Sequence, residues 1–476
     1  MKLYEQLAEN LQQRIDQGYY PDGTKLPSIR ATSQEHGVSI STVQEAYALL
    51  VENGKAVARP KSGYFVTEQL SPPPLPQTSQ PTAKPLGLPE WHNLLHIMDD
   101  YGEENVFQLS IAVPDCDAPS LNPLLKLTAE LSRTTTRRLF NYDHVRGAAE
   151  LRRQIARMMI DSGCSVTPED IIVTSGCQEA LASSLRAITE PGDIVIVDSP
   201  NFFGSLQAIE MSGVKALEIP THPETGISLD ALAKALEQWP VKACLLTPTN
   251  NNPLGYSMPD EDKPRLLELL AEYDIPLIED DIYGDLSYKL PRPRSIKSYD
   301  TEGRVILCSS FSKTLAAGLR IGWVCPGRYF DKVMMMKYVS SMSTATLNQL
   351  AVAEFVAQGY YEKHLRKMRQ NYQRDRDTVI ALLSRHMPQS TRISYPQGGY
   401  LLWVELPEAI DAVELNRRAG QQGINVAPGP LFSATNKYKN FMRINCRNSQ
   451  DSRMDPAIKA LGEIANDLLI ESLRPA

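Results

Sequence analysis

The chain has little that would anchor it in a membrane or bind it to zinc. It contains no run of about 18 apolar residues, which argues against a membrane span. Its first residues lack the apolar stretch of a secretory signal. The seven cysteines are scattered without a Cys-x-x-Cys pair, an arrangement typical of free thiols in a reducing compartment. We therefore expect a cytoplasmic protein without a metal site.

Aromatic residues are also scarce, at 7% of the chain, beside 42% hydrophobic and 22% charged residues. This balance describes a globular protein that buries a sizeable core, and it excludes disorder throughout. With 476 residues, the chain exceeds one ordinary domain of about 150 residues. We expect a protein composed of several units.

The chain lacks an excess of positive charge. Its net charge is −7, and the first 70 residues carry seven Lys and Arg against eight Asp and Glu. The composition therefore shows no excess of positive charge that would indicate binding to nucleic acid. Phosphate contacts need only a locally positive surface or a helix N-terminus, so a DNA-binding function has to be argued from motifs.

The first 67 residues contain the pattern of a winged helix-turn-helix. A four-residue apolar repeat followed by a glycine predicts an amphipathic first helix: Leu3, Leu7, Leu11, Ile15 and Gly18. A second helix starts at residues 27–30 and ends near Gly37, and Ser39 caps a third that ends at residues 53–54. Two helices joined by a short glycine-containing turn form this motif. Residues 56–59 and 63–66 are predicted to pair as the wing.

The third helix would place its first side chains in the major groove. There Gln44 suits a bidentate contact to adenine, and Ile40 would also face DNA. Arg30, Arg59 and Lys61 would touch phosphates or the minor groove. The full set of predicted DNA-binding residues is Arg30, Ser39, Ser41, Thr42, Gln44, Arg59, Lys61 and Gly63. The alternative is a small helical interaction domain whose Ser and Thr residues are only caps, because such spacings recur by chance.

Three segments carry a family resemblance: residues 26–30, 37–43 and 59–64. Across residues 1–67 they closely resemble the winged-helix domain of GntR-family regulators, which implies DNA binding. Many members of that family have arginines where this chain has Ile40 and Gln44. The resemblance therefore does not imply that guanine is recognised there.

Proline is concentrated after the wing. Seven of the nineteen residues 71–89 are proline, so residues 68–89 are predicted to form an extended, semi-rigid linker. Residues 90–476 form the next domain, in which short apolar runs alternate with helical stretches: 171–173, 194–197, 243–246, 276–278 and 305–307. Apolar strands separated by helices indicate a mostly parallel α/β sheet that is covered on both faces.

The strongest chemical motif surrounds Lys313. A lysine after a buried strand, flanked by hydroxyls and followed seven residues later by Arg320, suits an aldehyde cofactor that bears a phosphate. Lys313 would form the Schiff base, while Ser310, Ser312 and Arg320 would hold the phosphate. An isolated lysine is more often a solvated surface residue, but here the surrounding motif favours the cofactor.

A second motif places carboxylates after the strand at residues 276–278. Pyridoxal 5'-phosphate is an electron sink only while its ring nitrogen is protonated, so it needs a buried carboxylate partner. We predict Asp280 for this role, with Tyr283 and Asn252 on the phenolic oxygen of the ring. The alternative is that these acids simply cap a helix.

Two further features complete the predicted cofactor site. Gly176, Cys177 and Gln178 follow a strand and open a helix, whose backbone amides would bind phosphate. Phe202 would stack on the pyridine ring, although an aromatic residue after a strand is more often part of a core.

Together these motifs give residues 90–476 a resemblance to fold-type I aminotransferases, with a large, mostly parallel sheet domain and a smaller C-terminal α+β subdomain. The resemblance implies that Tyr142 reaches the phosphate of a neighbouring subunit, and hence a homodimer with shared sites. It also implies that Arg443 binds a substrate α-carboxylate and that Gly399 borders the pocket. The family more often has threonine where this chain has Leu254, and often tyrosine in place of Phe202.

The order of winged helix, proline-rich linker and aminotransferase-like domain resembles the MocR subfamily of GntR regulators. The resemblance implies a pyridoxal-phosphate-dependent transcription regulator that binds operator DNA and senses an amino-acid-like or vitamin-like effector. The competing hypothesis is a functional aminotransferase with an accessory DNA-binding domain, since no catalytic residue is missing. A cofactor-free interaction scaffold is the third class, and it leaves the motifs unexplained.

Overall fold

The computed structural model describes residues 2–21, 23–52, 55–59, 62–67, 73–81, 84–86 and 106–473. The chain divides into two compact units, residues 1–72 and 73–476. Each unit has a hydrophobic core of its own. Within the described residues no helix is long and apolar enough to cross a membrane. No three His, Cys, Asp or Glu side chains in that part of the chain are grouped to hold a metal ion.

The first unit has three helices and a hairpin, which confirms the predicted winged helix-turn-helix. Its core includes Leu11, Val43, Tyr47 and Val66. The two strands of the hairpin are antiparallel. Leu3 is 56% exposed, so the buried apolar repeat starts one turn later than predicted. The elements are α1 (Leu3–Asp16), α2 (Ile29–His36), α3 (Ile40–Glu52), β1 (Ala56–Arg59) and β2 (Gly63–Val66).

Local sequence fixes the ends of these helices. The Ser28 hydroxyl accepts a hydrogen bond from the amide of Ala31 at 3.2 Å and starts α2. Gly37 ends that helix with a φ of 64°, a left-handed conformation that favours glycine. The Ser39 hydroxyl then accepts from the Thr42 amide at 3.1 Å and starts α3, as the sequence predicts.

The second unit is built on an eight-stranded sheet. Five neighbouring strands, β10-β9-β8-β5-β6, are parallel, and antiparallel strands extend both ends. The spatial order is β4 (Ile172–Thr174), β11 (Gly322–Cys325), β10 (Val305–Ser310), β9 (Leu277–Asp280), β8 (Val241–Leu246), β5 (Ile194–Ser199), β6 (Lys215–His222) and β7 (Gly226–Ile227). Within β5, Ile196 packs into one hydrophobic cluster and Val195 and Val197 into another, so both faces of the sheet are covered. This agrees with the predicted α/β architecture.

The helices of this unit, in chain order, are α4 (Asn122–Thr134), α5 (Thr136–Leu139), α6 (Ala149–Met158), α7 (Cys177–Ile188), α8 (Phe203–Met211), α9 (Leu229–Gln238), α10 (Asp262–Glu272), α11 (Phe330–Ser341), α12 (Thr346–Ala357), α13 (Tyr360–His386), α14 (Ala412–Gly420) and α15 (Met454–Ser472). A smaller antiparallel sheet lies in the C-terminal part: β12 (Arg392–Ile393), β13 (Leu401–Glu405), β16 (Phe441–Asn445) and β15 (Ala427–Pro428). With α14 and α15 it forms the α+β subdomain. A separate parallel pair joins β3 (Phe107–Gln108) to β14 (Ile424–Asn425).

The described part of the proline-rich segment belongs to the second unit and packs against the rest of it. The carbonyl of Pro74 accepts from the Ile393 amide at 3.0 Å, and the Gln77 amide donates to the Glu405 carboxylate at 2.8 Å. Leu86 pairs with Ala216 at the edge of the large sheet. Much of the segment that composition predicts to be a linker therefore lies against folded protein. Residues 68–72, 82–83 and 87–89 of that segment are outside the described residues.

Candidate functional sites

A cavity of about 220 Å³ lies where the strands β9 and β10 end. β9 delivers Asp280 and β10 delivers Ser310, because parallel strands present their carboxyl ends at the same edge of a sheet. Ten of the predicted cofactor residues line this cavity: Cys177, Gln178, Phe202, Asn252, Asp280, Tyr283, Ser310, Ser312, Lys313 and Arg320. They come from segments spread over more than 140 positions of the chain.

The Lys313 side chain is partly buried, and its amine donates a hydrogen bond to the carbonyl of Ala112 at 2.7 Å. Burial, and next the positive charge of Arg443, lower the pKa of Lys313 to about 8. A larger neutral fraction near neutral pH makes this amine a better nucleophile than a surface lysine.

Asp280 is buried at the other side of the cavity. The Cys177 thiol donates to its carboxylate, with a sulfur–oxygen distance of 3.4 Å. Burial raises the pKa of Asp280 to about 7, because the charged form loses its hydration there. A cationic group beside Asp280 would favour the charged carboxylate.

The turn before α7 lies against the Arg320 side chain. Gly176 has a φ of +90°, and a Cβ atom on it would lie 2.6 Å from the Arg320 guanidinium. That guanidinium donates to the Ser175 carbonyl at 3.0 Å. The Ser312 hydroxyl is buried without a partner, whereas the Gln178 side chain is engaged by the Gly204 carbonyl at 2.7 Å. Backbone amides at the start of α7 and an adjacent arginine suit a phosphate group.

Arg443 lies buried beside the cavity, on β16. Its guanidinium donates to the Asn252 side-chain oxygen at 3.0 Å and to the Ser110 carbonyl, and its Nε has no partner. Within the described residues no carboxylate lies within 4 Å of it. Burial lowers its pKa to about 10. The ring of Phe432 lies 5.0 Å from the guanidinium.

The remaining predicted residues differ in their positions. Gly399 borders the Tyr283 ring, since a Cβ atom on it would lie 3.7 Å from that ring. The Tyr283 hydroxyl is buried and interacts with the side chains of Tyr400 and Asn252. Tyr142 does not line the cavity and is 80% exposed.

Sequence reasoning missed several parts of the site. The carbonyls of Ser110 and Ala112 bind Arg443 and Lys313, but backbone acceptors leave no signal in a sequence. Thr247 lines the cavity with a buried hydroxyl that has no partner. Its position directly after β8 was a usable signal, because strand ends carry the ligands in such sheets.

The first unit presents the predicted DNA-binding residues on its surface. Ile40, Ser41 and Gln44 are exposed at the start of α3. The Ser41 and Thr42 hydroxyls each lie 2.8 Å from the Ser39 hydroxyl, so the capping interpretation holds for this cluster as well.

The two arginines of the set and the wing glycine also lie at the surface. Arg30 and Arg59 are exposed, and the Arg59 guanidinium lies 4.3 Å from the Phe65 ring centre. Gly63 has a φ of +105° in the wing. Lys61 lies outside the described residues.

Comparison with known proteins matches both units. The family model "Aminotransferase class I and II" matches residues 104–461, and "Bacterial regulatory proteins, gntR family" matches residues 3–66. A relative described as the uncharacterized HTH-type transcriptional regulator YjiR of Escherichia coli is 46% identical, over 97% of this chain and 98% of its own length. The probable rhizopine catabolism regulatory protein MocR of Rhizobium meliloti is 28% identical, over 90% of this chain and 86% of its own length.

Among solved structures, one similar protein is LysN, the alpha-aminoadipate aminotransferase of Thermus thermophilus, complexed with N-(5'-phosphopyridoxyl)-L-leucine. The TM-score is 0.72 and the identity 27%, over 77% of this chain and 94% of that protein. The similarity covers the larger unit's fold.

Proposed function

The chain belongs to the MocR-type regulators, which join a GntR helix-turn-helix domain to an aminotransferase class I and II domain. On this basis we propose that it is a cytoplasmic transcription regulator that binds operator DNA. We propose that it senses an amino-acid-like or vitamin-like effector through pyridoxal 5'-phosphate. The observation that carries the proposal is the buried Arg443, which has no carboxylate partner within the described residues and lies beside the cavity of Lys313, in a chain that also has a helix-turn-helix. The Arg443 guanidinium suits a carboxylate, and the Lys313 amine suits an aldehyde.

The cavity fits the cofactor. Two buried hydroxyls that line it have no hydrogen-bond partner among the described residues: Thr247 and Ser312. Buried polar groups are nearly always hydrogen-bonded, so these two indicate a polar ligand. Lys313 would bind the aldehyde, Asp280 the ring nitrogen, and Tyr283 and Asn252 the phenolic oxygen. The phosphate would be held by residues 176–178, Ser310, Ser312 and Arg320, and Phe202 would cover the ring. When bound, the cofactor supplies an electron sink for chemistry at an amino-acid α-carbon.

The effector would carry a carboxylate. Within the described residues, the buried Arg443 guanidinium donates its hydrogen bonds to neutral oxygens, so its charge stays uncompensated, which is costly. A carboxylate at Arg443 would supply charge-assisted hydrogen bonds and neutralise it. An amine on the same molecule would compete with Lys313 for the cofactor. These two interactions define an amino-acid-like ligand.

Regulation requires that the effector bind two states of the protein with different affinity. Replacement of Lys313 by an effector amine at the cofactor would change interactions in the larger unit, and a conformational equilibrium coupled to the DNA-binding unit would transmit the change. Whether the outcome is activation or repression depends on the operator position.

We also propose a homodimer with shared sites. Phe140 and Tyr142, in the loop after α5, are 90% and 80% exposed, which is unusual for large aromatic side chains in a loop of a monomer. A second subunit would cover them and receive Tyr142 at its phosphate site. Tyr142→Phe should then weaken cofactor retention only in the dimer, measured by sedimentation and by cofactor absorbance.

A functional aminotransferase with an accessory DNA-binding domain is the second candidate. The observation that favours it is the complete set around the cavity: Lys313, Asp280, Tyr283, Asn252, Arg320 and Arg443. No residue needed for transamination is missing from this set.

The test is a selection of genomic DNA fragments by the purified, cofactor-loaded protein, followed by a screen of amino acids. Enrichment of discrete promoter fragments, with one amino acid that changes both DNA affinity and cofactor absorbance, is the expected result. Absence of enrichment, with rapid conversion of an amino donor and a keto-acid acceptor, would make the aminotransferase the primary function.

A further inference from the structure

The long helix α13 presents one exposed face that is almost entirely basic. Its opposite side is buried through residues such as Leu365, Met368 and Tyr372. Each of these exposed positions lies three or four residues from another of them, so they share one side of the helix. We call this set the basic face: Lys363, Arg366, Lys367, Gln370 and Arg374. At 1.5 Å per residue it extends over about 16 Å.

Little negative charge offsets the basic face. Within the described residues Lys363, Arg366 and Lys367 form no ion pair within 4 Å. Arg374 lies 3.5 Å from Asp375, but that carboxylate is buried and accepts hydrogen bonds from Asn448 and Ser449.

The two exposed acids of the same helix leave the face positive. Glu362 is exposed one turn before Arg366 and offsets one charge at the edge. Asp377 is paired with Arg376 at 2.7 Å. The basic face therefore keeps a net positive charge in a chain whose total charge is −7.

The basic face has the net positive charge that the helix-turn-helix unit lacks. Protein binding to duplex DNA depends on Lys and Arg that neutralise phosphates and release counterions. The first 70 residues carry seven such residues against eight acids, so they provide no net positive charge. A second, positively charged surface elsewhere in the chain would provide the missing interactions with phosphate.

We propose that the basic face binds the phosphate backbone of duplex DNA, independently of sequence and in addition to the helix-turn-helix. The inference rests on the proposed DNA-binding function. Duplex DNA carries one charge per about 1.7 Å of its axis, so a 16 Å face meets several phosphates. The face has no large apolar side chain, which does not fit an apolar protein interface or membrane insertion. Like charges oppose its pairing with a second copy of itself.

The experiment uses the full-length, cofactor-loaded protein and a mixed-sequence DNA duplex as the probe. The test variant is K363Q/R366Q/K367Q, and the matched control is K234Q/K242Q/K459Q, which removes three charges from other exposed positions. Glutamine has a helix propensity close to that of lysine and arginine, so α13 should remain intact. DNA affinity is measured across a salt series, and melting temperature verifies the fold.

We expect the slope of log affinity against log salt to flatten by about 0.9 for each phosphate that the test variant no longer neutralises. If three phosphates are left without their cations, the fall in affinity between about 50 and 200 mM salt becomes about 40-fold smaller. The control variant should keep the slope of the unmodified protein.

An unchanged slope in the test variant, with DNA still bound, would overturn the basic face as a DNA-binding surface and leave the proposed function standing. Equal flattening in both variants would also overturn it, because net charge alone would then explain the effect. If the unmodified protein binds neither this duplex nor any genomic fragment, the proposed function itself fails.

Discussion

At the scale of single residues, the pKa of Lys313 determines how readily its amine can react with an aldehyde. Only the neutral amine is a nucleophile. With a pKa of about 8, about one-tenth of the amine is neutral at pH 7, against less than about a thousandth for an ordinary lysine. We predict that the rate of cofactor capture by the apoprotein rises about tenfold from pH 7 to pH 9 and then levels off. Stopped-flow absorbance of the lysine-bound cofactor measures this rate.

Two variants control that experiment. Lys313→Ala should lose the absorbance band of the lysine-bound cofactor with its fold retained, whereas Lys242→Ala, at an exposed position on β8, should keep the band. A rate that continues to rise beyond about pH 10 would show an ordinary lysine pKa and contradict the effect of burial.

Arg443 gives a residue-scale prediction about ligand recognition. Arg443→Met removes a buried charge that has no carboxylate partner, so the free energy of unfolding should stay the same or increase. The same variant should bind an amino-acid effector at least about 30-fold more weakly, because it cannot make a charge-assisted hydrogen bond of about 2 kcal/mol.

The matched comparison uses the decarboxylated amine of the same effector. The unmodified protein should prefer the amino acid, and Arg443→Met should bind both with similar affinity in a competition followed by cofactor absorbance. If the preference survives the substitution, the carboxylate is bound elsewhere.

At the scale of elements, the turn before α7 links a backbone conformation to the phosphate site. Gly176→Ala places a Cβ atom where the Arg320 guanidinium lies, at 2.6 Å. The control is Gly192→Ala, which has a similar φ of +96° but nothing within 4 Å of the new atom. Both substitutions should cost about 1–3 kcal/mol of stability, since alanine is strained at positive φ.

Only Gly176→Ala should weaken retention of the cofactor, and we expect at least a tenfold increase in the dissociation constant for pyridoxal phosphate, measured by equilibrium dialysis. Equal retention in both alanine variants would show that the displaced arginine takes no part in phosphate binding.

Elements with a local signal were predictable from the sequence. The five apolar runs lie in β4, β5, β8, β9 and β10, because strands buried on both faces are continuously apolar. The strand β6 was missed because it contains Glu218 and Pro220. Its buried carboxylate is held by Ser433 and Ala434, more than 200 positions away, and no local pattern encodes such a partner.

At the scale of the whole molecule, the proline-rich segment indicated the order of the units but not its own position. Composition predicts an extended chain, since proline fixes φ and removes amide donors. Composition cannot predict which surface of the protein offers hydrogen-bond acceptors and donors to such a segment. Here Ile393, Glu405 and Ala216 provide them, and they come from two different sheets of the second unit.

The coupling of effector and DNA gives the last prediction, which belongs to the whole molecule. If the effector changes DNA affinity by some factor, DNA must change effector affinity by the same factor, because the two binding equilibria form a closed cycle. We expect a factor of about 5 to 150, typical of such coupling. It is measured by titrating the effector with and without a selected promoter fragment, and by titrating the DNA with and without the effector. Lys313→Ala should reduce both factors to about one while each ligand's binding stays measurable, since the proposed exchange at Lys313 would no longer distinguish the two states. An effector that alters DNA affinity equally in the Lys313→Ala variant would act through a site other than the cofactor cavity.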